Sequence, residues 1–323
     1  SSSGNDRNMY YNRLTRQGYK PTNGTGGQGT SWSQGFTSET LLSYHKEFGE
    51  DHTIDAVAGI TFEESHWKYN NMSAYDFPSD LTLMWDMSAG MKTYPLSSGR
   101  GKSRMQSNLA RFNYSYKGKY MATASYRADG SSVFVEGNKY AHFFSGALAW
   151  RLSAEPWIEK LNVFDDLKLR LSYGQTGNQG IGTYATLPAM SVSSYPLGGT
   201  LTPGFAEQTW KGPINKRLKW ETTDQVNAGL DISLAKGKVN FVIDYYYKRT
   251  NDLLQKVSIE TNSGYTQMAV NSGHVTNEGL EISGTFHPFA RKDFGWQIDA
   301  NISFNRNKIG GLTGDQYGSN LNN

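Results

Sequence analysis

The sequence predicts an all-β fold, a transmembrane antiparallel up-and-down β-barrel, with about ten strands of a larger barrel in this chain. Long segments alternate apolar and polar residues with period 2. The connections between them alternate short and long. Aromatic residues make up 13% of the 323, yet mean hydropathy is −0.61. No apolar run approaches the roughly 20 residues a membrane helix needs. A membrane strand meets lipid only at alternate residues, so a barrel is hydrophilic on average while half of each strand is apolar.

Taken in order, strands are expected near 37–48, 52–65, 104–116, 119–129, 139–153, 167–176, 219–234, 238–257, 273–288 and 294–309. Phe144, Leu148, Trp150 and Leu152 share one face of their segment, and Leu167, Leu169, Leu171 and Tyr173 one face of the next. Val226, Ala228, Leu230, Ile232 and Leu234 repeat the rhythm, followed by Val239, Phe241, Ile243, Tyr245 and Tyr247. Trp296, Ile298, Ala300, Ile302 and Phe304 stand opposite Gln297, Asp299, Asn301, Ser303 and Asn305. Each strand has one dry and one wet face.

Short turns fall at 49–51, 117–118, 235–237 and 289–293, with a longer one carrying Trp157 to Asn162. Gly/Ser/Asn/Pro-rich loops near 66–103 and 177–218 separate them, and such lengths are unusual inside a compact soluble domain. Up-and-down topology sends every second connection to one side, so both long loops are expected to be extracellular. Trp150, Trp220, Trp296 and the run Tyr245, Tyr246, Tyr247 are candidates for the aromatic girdles at the headgroup layers.

Other chemistries find little support. Formal charge is +3, from 32 basic and 29 acidic residues without long blocks, which argues against a nucleic-acid partner. Cysteine is absent, which removes disulfides, thiolate zinc sites and cysteine nucleophiles. His45, His52, His66, His142, His274 and His287 lack the spacing of a metal site, so no metal or cofactor is expected. Gly24, Gly26 and Gly29 spell G-x-G-x-x-G without the strand before and helix after that a dinucleotide needs, and read as a flexible surface loop. Gly101, Lys102 and Ser103 resemble the end of a P-loop whose first glycine would fall on Leu96. Asp165 with Asp166 and Glu63 with Glu64 are strand neighbours that point to opposite faces, and Glu278 and Glu281 are an odd number apart. None forms an acid/base pair, and no enzyme is expected.

Several segments resemble the SusC/RagA family of TonB-dependent outer-membrane transporters. They are DLKLRLSYGQTGNQG at 166–180, RADGSSVF at 127–134 followed by ALAWRLS at 147–153, LKWETTDQVNAGLD at 218–231, YYYKRTNDLL at 245–254 and NEGLEI at 277–282. They occur in family order. One departure is Lys216 after Asn215, where the family commonly has proline. The resemblance implies a barrel of about 22 strands with a plugged lumen. Residues 1–323 would be one partial barrel domain, without plug domain, TonB box or closing strand, ending in the Gly/Asn-rich stretch 310–323. It implies the bacterial cell outer membrane and its lipid as the setting, and import of oligosaccharide or peptide nutrients. Its implied partners are a SusD-like surface lipoprotein over the loops and TonB, acting through the missing N-terminal region.

On that reading the long-loop aromatics Trp67, Trp85, Tyr94, Tyr184 and Trp210 are candidates for substrate or partner binding, with packing within the loops as the equal alternative. Polar strand positions expected to line the lumen are Arg111, Asn113, Arg127, Arg170, Asp231, Asp244 and Asn301. The rival architecture is a soluble lectin-like β-sandwich, in which the apolar faces would be buried against a second sheet.

Overall fold

The computed structural model describes residues 1–14, 23–188, 190–208, 212–290 and 294–312. The strands in chain order are β1 (Ser2–Tyr11), β2 (Thr25–Phe48), β3 (His52–Tyr75), β4 (Lys92–Thr93), β5 (Ser97–Tyr116), β6 (Tyr120–Ser131), β7 (Tyr140–Arg151), β8 (Phe164–Asn178), β9 (Met190–Leu197), β10 (Thr200–Glu207), β11 (Glu221–Leu234), β12 (Val239–Asn251), β13 (Leu254–Ser258), β14 (Gln267–Asn271), β15 (His274–Ala290) and β16 (Gly295–Gly310). A four-residue helix, α1 (Pro156–Glu159), interrupts the turn before β8. Two compact units emerge, one of Ser1–Ser38 with Phe62–Met105, the other of Glu39–Thr61 with Gln106–Asn323.

In the second unit the strands follow sequence order, β2-β3-β5-β6-β7-β8-β11-β12-β15-β16. The pairs from β6 onward are antiparallel. Register lines the predicted apolar residues up across strands. Trp150 faces Leu169, then Leu230, Ile243, Ile282 and Ile302 in one row. Leu148, Leu171, Ala228, Tyr245, Leu280 and Phe304 form the next. These rows are not a core: Leu148 is 60% exposed, Leu169 43% and Ile302 52%. A sandwich would bury them under a second sheet, so the lectin-like alternative fails. An apolar face this broad suits lipid rather than water.

Aromatics mark the short-turn end of this face. Tyr116, Tyr120 and Trp150 stack in a ladder, with centroids 6.3 and 6.1 Å apart, beside the turn at 117–118. Both turn residues have positive φ, 55° at Lys117 and 58° at Gly118, as a two-residue hairpin requires. Phe289 stacks on Trp296 at 6.3 Å near the passage from β15 to β16. Trp220 is not a girdle residue. It is 5% exposed and packs on Phe134 and Phe143.

In the first unit β1 pairs antiparallel with the start of β2, from Ser2 opposite Gln34 to Tyr11 opposite Thr25, and the order continues to β3 and β5. The segment 66–103 is therefore not one loop. β3 runs to Tyr75 and β5 begins at Ser97, leaving 76–96 as the connection, with two short 3-10 turns at Leu83–Trp85 and Met87–Ala89 and the small strand β4. The glycines of the G-x-G-x-x-G string are not a flexible loop either. Gly26 and Gly29 lie in β2, and a Cβ on Gly26 would press on Phe77 at 3.1 Å. Phe77 is wholly buried, with Tyr10 edge-on at 5.4 Å. Two further expectations change: 177–218 contains the β9–β10 hairpin, and the strand expected at 238–257 breaks after Asn251, giving a second hairpin, β13–β14.

Candidate functional site

On β8, β11 and β12 the face opposite the apolar rows carries a charged network. Arg170 donates from Nε to both Asp231 oxygens at 3.0 and 3.1 Å, and from Nη2 to Asp231 Oδ1 at 2.7 Å and Asp244 Oδ1 at 3.1 Å. Lys168 Nζ is 2.9 Å from Asp231 Oδ2. Gly229 lies in register between Arg170 and Asp244, and a Cβ there would come within 3.0 Å of both side chains. Glycine thus lets the guanidinium cross β11 to the far carboxylate. Glu281, exposed, stands opposite Asp244 on β15.

The other predicted polar positions are spread over this face. Arg127 Nε holds Asp129 at 2.6 and 2.9 Å, and its Nη2 donates to Ser107 Oγ at 3.1 Å. Asn113 Oδ1 accepts from Thr123 Oγ1 at 2.9 Å. Arg111 on β5 and Asn301 on β16, opposite Ser283, are exposed. Only Arg170, Asp231 and Asp244 of the predicted set are brought into mutual contact.

The segments that carry the family resemblance converge elsewhere, on a small buried cluster that periodicity did not reveal. Phe134 lies 5.3 Å from Trp220, and Phe143 lies 6.0 Å from it edge-on. Val133, Phe134, Leu218 and Trp220 are buried. Trp220 Nε1 donates to Lys139 O at 3.0 Å, Asn138 Nδ2 to Leu218 O at 3.1 Å and Thr186 Oγ1 to Val133 O at 2.9 Å. Glu221 accepts from Leu254 N at 3.0 Å and Asn178 Nδ2 at 3.2 Å. Asn271 brackets Lys219, accepting from its N–H and donating to its carbonyl, both at 2.9 Å. Satisfied hydrogen bonds around a packed aromatic core make these motifs an anchor for the connections rather than a reactive centre.

The candidate aromatics divide by setting. Trp67 and Tyr69 stand on β3, not in a loop, with planes 11° from parallel and centroids 6.0 Å apart. They lie over Gly101 and Gly99 of β5, where any Cβ would strike the rings. Trp67 remains partly exposed. Trp85, exposed, ends the first 3-10 turn, and Tyr94 packs on Tyr75 at 4.7 Å. Tyr184 is exposed with φ 62°. Trp210 lies outside the described residues.

Polar locks fix the connections. Asp80 accepts from the Tyr10 hydroxyl at 2.8 Å and faces Arg13 Nε at 3.5 Å. The Tyr10 hydroxyl holds the Asp80 carboxyl below the usual carboxylate range, while burial, followed by Asp80, pushes Tyr10 up to about 12. At the turn after β7, Glu155 accepts from Lys119 Nζ at 2.6 Å, Tyr120 at 2.7 Å and Trp150 Nε1 at 2.8 Å. Lys119 is the main cause that lowers its pKa.

Residues 2–323 match the family described as TonB dependent receptor-like, beta-barrel. The chain is similar to TonB-dependent receptor P26 of Formosa agariphila, 35% identical over 88% of this chain and 29% of that protein. It is also similar to TonB-dependent receptor SusC of Bacteroides thetaiotaomicron, 38% identical over 66% of this chain and 21% of SusC. Among solved structures it resembles the RagAB peptide transporter, with TM-score 0.83 and 25% identity over 97% of this chain and 34% of that one. The ferric preacinetobactin receptor BauA of Acinetobacter baumannii, 16% identical with TM-score 0.51 over 87% of this chain and 37% of that one, shares the fold. The chain thus spans less than a third of these two TonB-dependent receptors and about a third of the RagAB transporter chain.

Proposed function

Because the chain belongs to the TonB-dependent receptor-like β-barrel family, we propose that it supplies part of the barrel of an importer of oligosaccharide or peptide nutrients. It is an outer-membrane β-barrel segment similar to SusC and to the RagAB peptide transporter. On our reading the rows through Leu169, Leu230 and Ile302 face lipid, and the face with Arg170, Asp231, Asp244, Arg111, Asn113, Arg127 and Asn301 borders the lumen. A SusD-like lipoprotein covers the extracellular connections 76–96 and 179–220, and TonB acts through regions outside this chain. Its work is selective binding and passage, not bond cleavage.

The observation that carries recognition is the pair of near-parallel rings of Trp67 and Tyr69 laid over Gly101 and Gly99. Flat aromatic faces fixed on a strand suit the faces of sugars and the side chains of extended peptides alike. In the full-length transporter, Trp67→Ala and Tyr69→Ala should each weaken binding by about 0.5 to 1.5 kcal/mol, roughly 2- to 12-fold. Calorimetry against peptide and oligosaccharide pools decides the substrate class. Deleting 79–88, the exposed tip of its connection, should reduce co-purification of the lipoprotein while the barrel still folds. Unchanged binding and co-purification would move recognition to the charged network of Arg170, Asp231 and Asp244.

A further inference from the structure

Trp67 and Tyr69 share one face of β3, and period 2 places Asn71 on it as well. Asn71 leads across to β1. Its side-chain oxygen stands over Gly29 of β2, where any Cβ would strike it, and Gly29 lies opposite Arg7 of β1. Residues directly opposite in an antiparallel pair point to the same side, so Arg7 stands on the Trp67–Tyr69 face. Two strand spacings put its backbone roughly 10 Å from that of Asn71. The glycine between them leaves the guanidinium room to lie over β2. All of these residues belong to the first unit.

Arg7 is exposed, and among the described residues it has no ion pair or side-chain hydrogen bond. Asp6 is its neighbour in β1 but points to the opposite face. Other acids of the unit are engaged: Glu64 with Lys102 and Arg104, Asp80 with Arg13 and the Tyr10 hydroxyl, Asp76 with Lys92. Glu63 shares the Trp67–Tyr69 face, but it lies eight residues before Asn71, roughly 27 Å along the strand. With a Debye length of about 8 Å, a carboxylate at that distance does not answer the charge of Arg7. The face thus offers a pair of flat rings, an amide and one unanswered guanidinium, whose fork matches the two oxygens of a carboxylate.

From this geometry we infer that Arg7 is a specificity-determining residue, which selects ligands carrying a carboxylate, acidic oligosaccharides or acidic peptides, for the Trp67–Tyr69 surface. The inference rests on the reading of that pair as the recognition surface. The test uses the purified full-length transporter and two arms of probes. One arm sets oligogalacturonides against their methyl esters, the other the acidic peptides of a casein digest against the same peptides methyl-esterified. In at least one arm, which identifies the source of the carboxylate, the wild type should bind the free acid about fivefold or more tightly than the ester. Arg7→Gln should bring the acid down to the level of the ester, and Arg7→Lys, which keeps the charge, should retain most of the preference. Every variant should keep the heat-dependent gel mobility of a folded barrel. Trp67→Ala should weaken acid and ester alike and leave their ratio intact; if it weakens neither, the aromatic reading itself fails. Absence of a preference for the acid in both arms, a wild-type ratio in Arg7→Gln, or an equal loss in Arg7→Lys and Arg7→Gln would each overturn the assignment to Arg7.

Discussion

Phe134→Ala tests whether the resemblance-bearing segments work as an anchor. Phe134 is 2% exposed and rests on Trp220, which in turn donates to Lys139 O. Truncating a buried phenylalanine costs about 3 to 5 kcal/mol, because transfer free energy is lost and a cavity remains. At 1.4 kcal/mol per tenfold, local opening should become about 100 to 4,000 times more frequent. Hydrogen exchange with mass spectrometry on the full-length protein reads this directly. Amides such as Ser131 N, bonded to Lys139 O at 3.0 Å, and Asn138 N, bonded to Val135 O at 3.1 Å, should lose protection together with those of 215–221. The β11–β12 ladder, held by thirteen residue pairs in unbroken register, should exchange as before. An acceleration under about tenfold, or one spread evenly over the strands, would refute the anchor.

Gly229→Ala places a methyl group within 3.0 Å of Asp244 and Arg170. The guanidinium must leave one carboxylate, at a cost of about 1 to 3 kcal/mol read as a lower urea midpoint of the folded barrel; an unchanged midpoint would show that the network yields freely. Asp80 sets a pH dependence for the 76–96 connection. Its folded pKa is depressed, so its contribution is whole above about pH 4 and is lost as pH falls through the lower folded value. Tyr10 is raised to about 12, so its share is whole below about pH 10 and is lost as pH rises toward that value. Limited proteolysis of 76–96 by an acid-active protease should quicken below about pH 4, and Asp80→Asn should remove that step.

The strands that cross the apolar zone were legible because lipid imposes period 2: the faces of Leu167, Val226, Val239 and Trp296 emerge as cross-strand rows. β1 and the first part of β2 were not legible. Apart from Trp32, their residues, such as Ser2 to Asn8 against Gln28 to Gln34, are polar or glycine on both faces and leave no alternation to detect. The same holds for the upper parts of β3 and β5, where Arg100, Lys102 and Arg104 replace the apolar residues that mark the strand lower down. The hairpins β9–β10 and β13–β14 stand outside the main sheet, so no shared apolar face recorded them. Of the site, Arg170, Asp231 and Asp244 were found by parity alone, since strand register brings them together. The Phe134–Trp220 cluster was visible only as motif strings, because its contacts join residues 86 positions apart in sequence, 134 and 220.

A sheet with one face in lipid and the other in water should show that difference residue by residue along β11. Single spin labels at Leu230, Asp231, Ile232 and Ser233 of β11, placed in a full-length transporter in liposomes from which any cysteine outside this cysteine-free segment has been removed, report each face in turn. Oxygen, which partitions into lipid, should collide most with the labels at Leu230 and Ile232. A water-soluble nickel chelate should prefer those at Asp231 and Ser233, in strict alternation. Equal access to the chelate at all four positions, or oxygen access without alternation, would contradict the account.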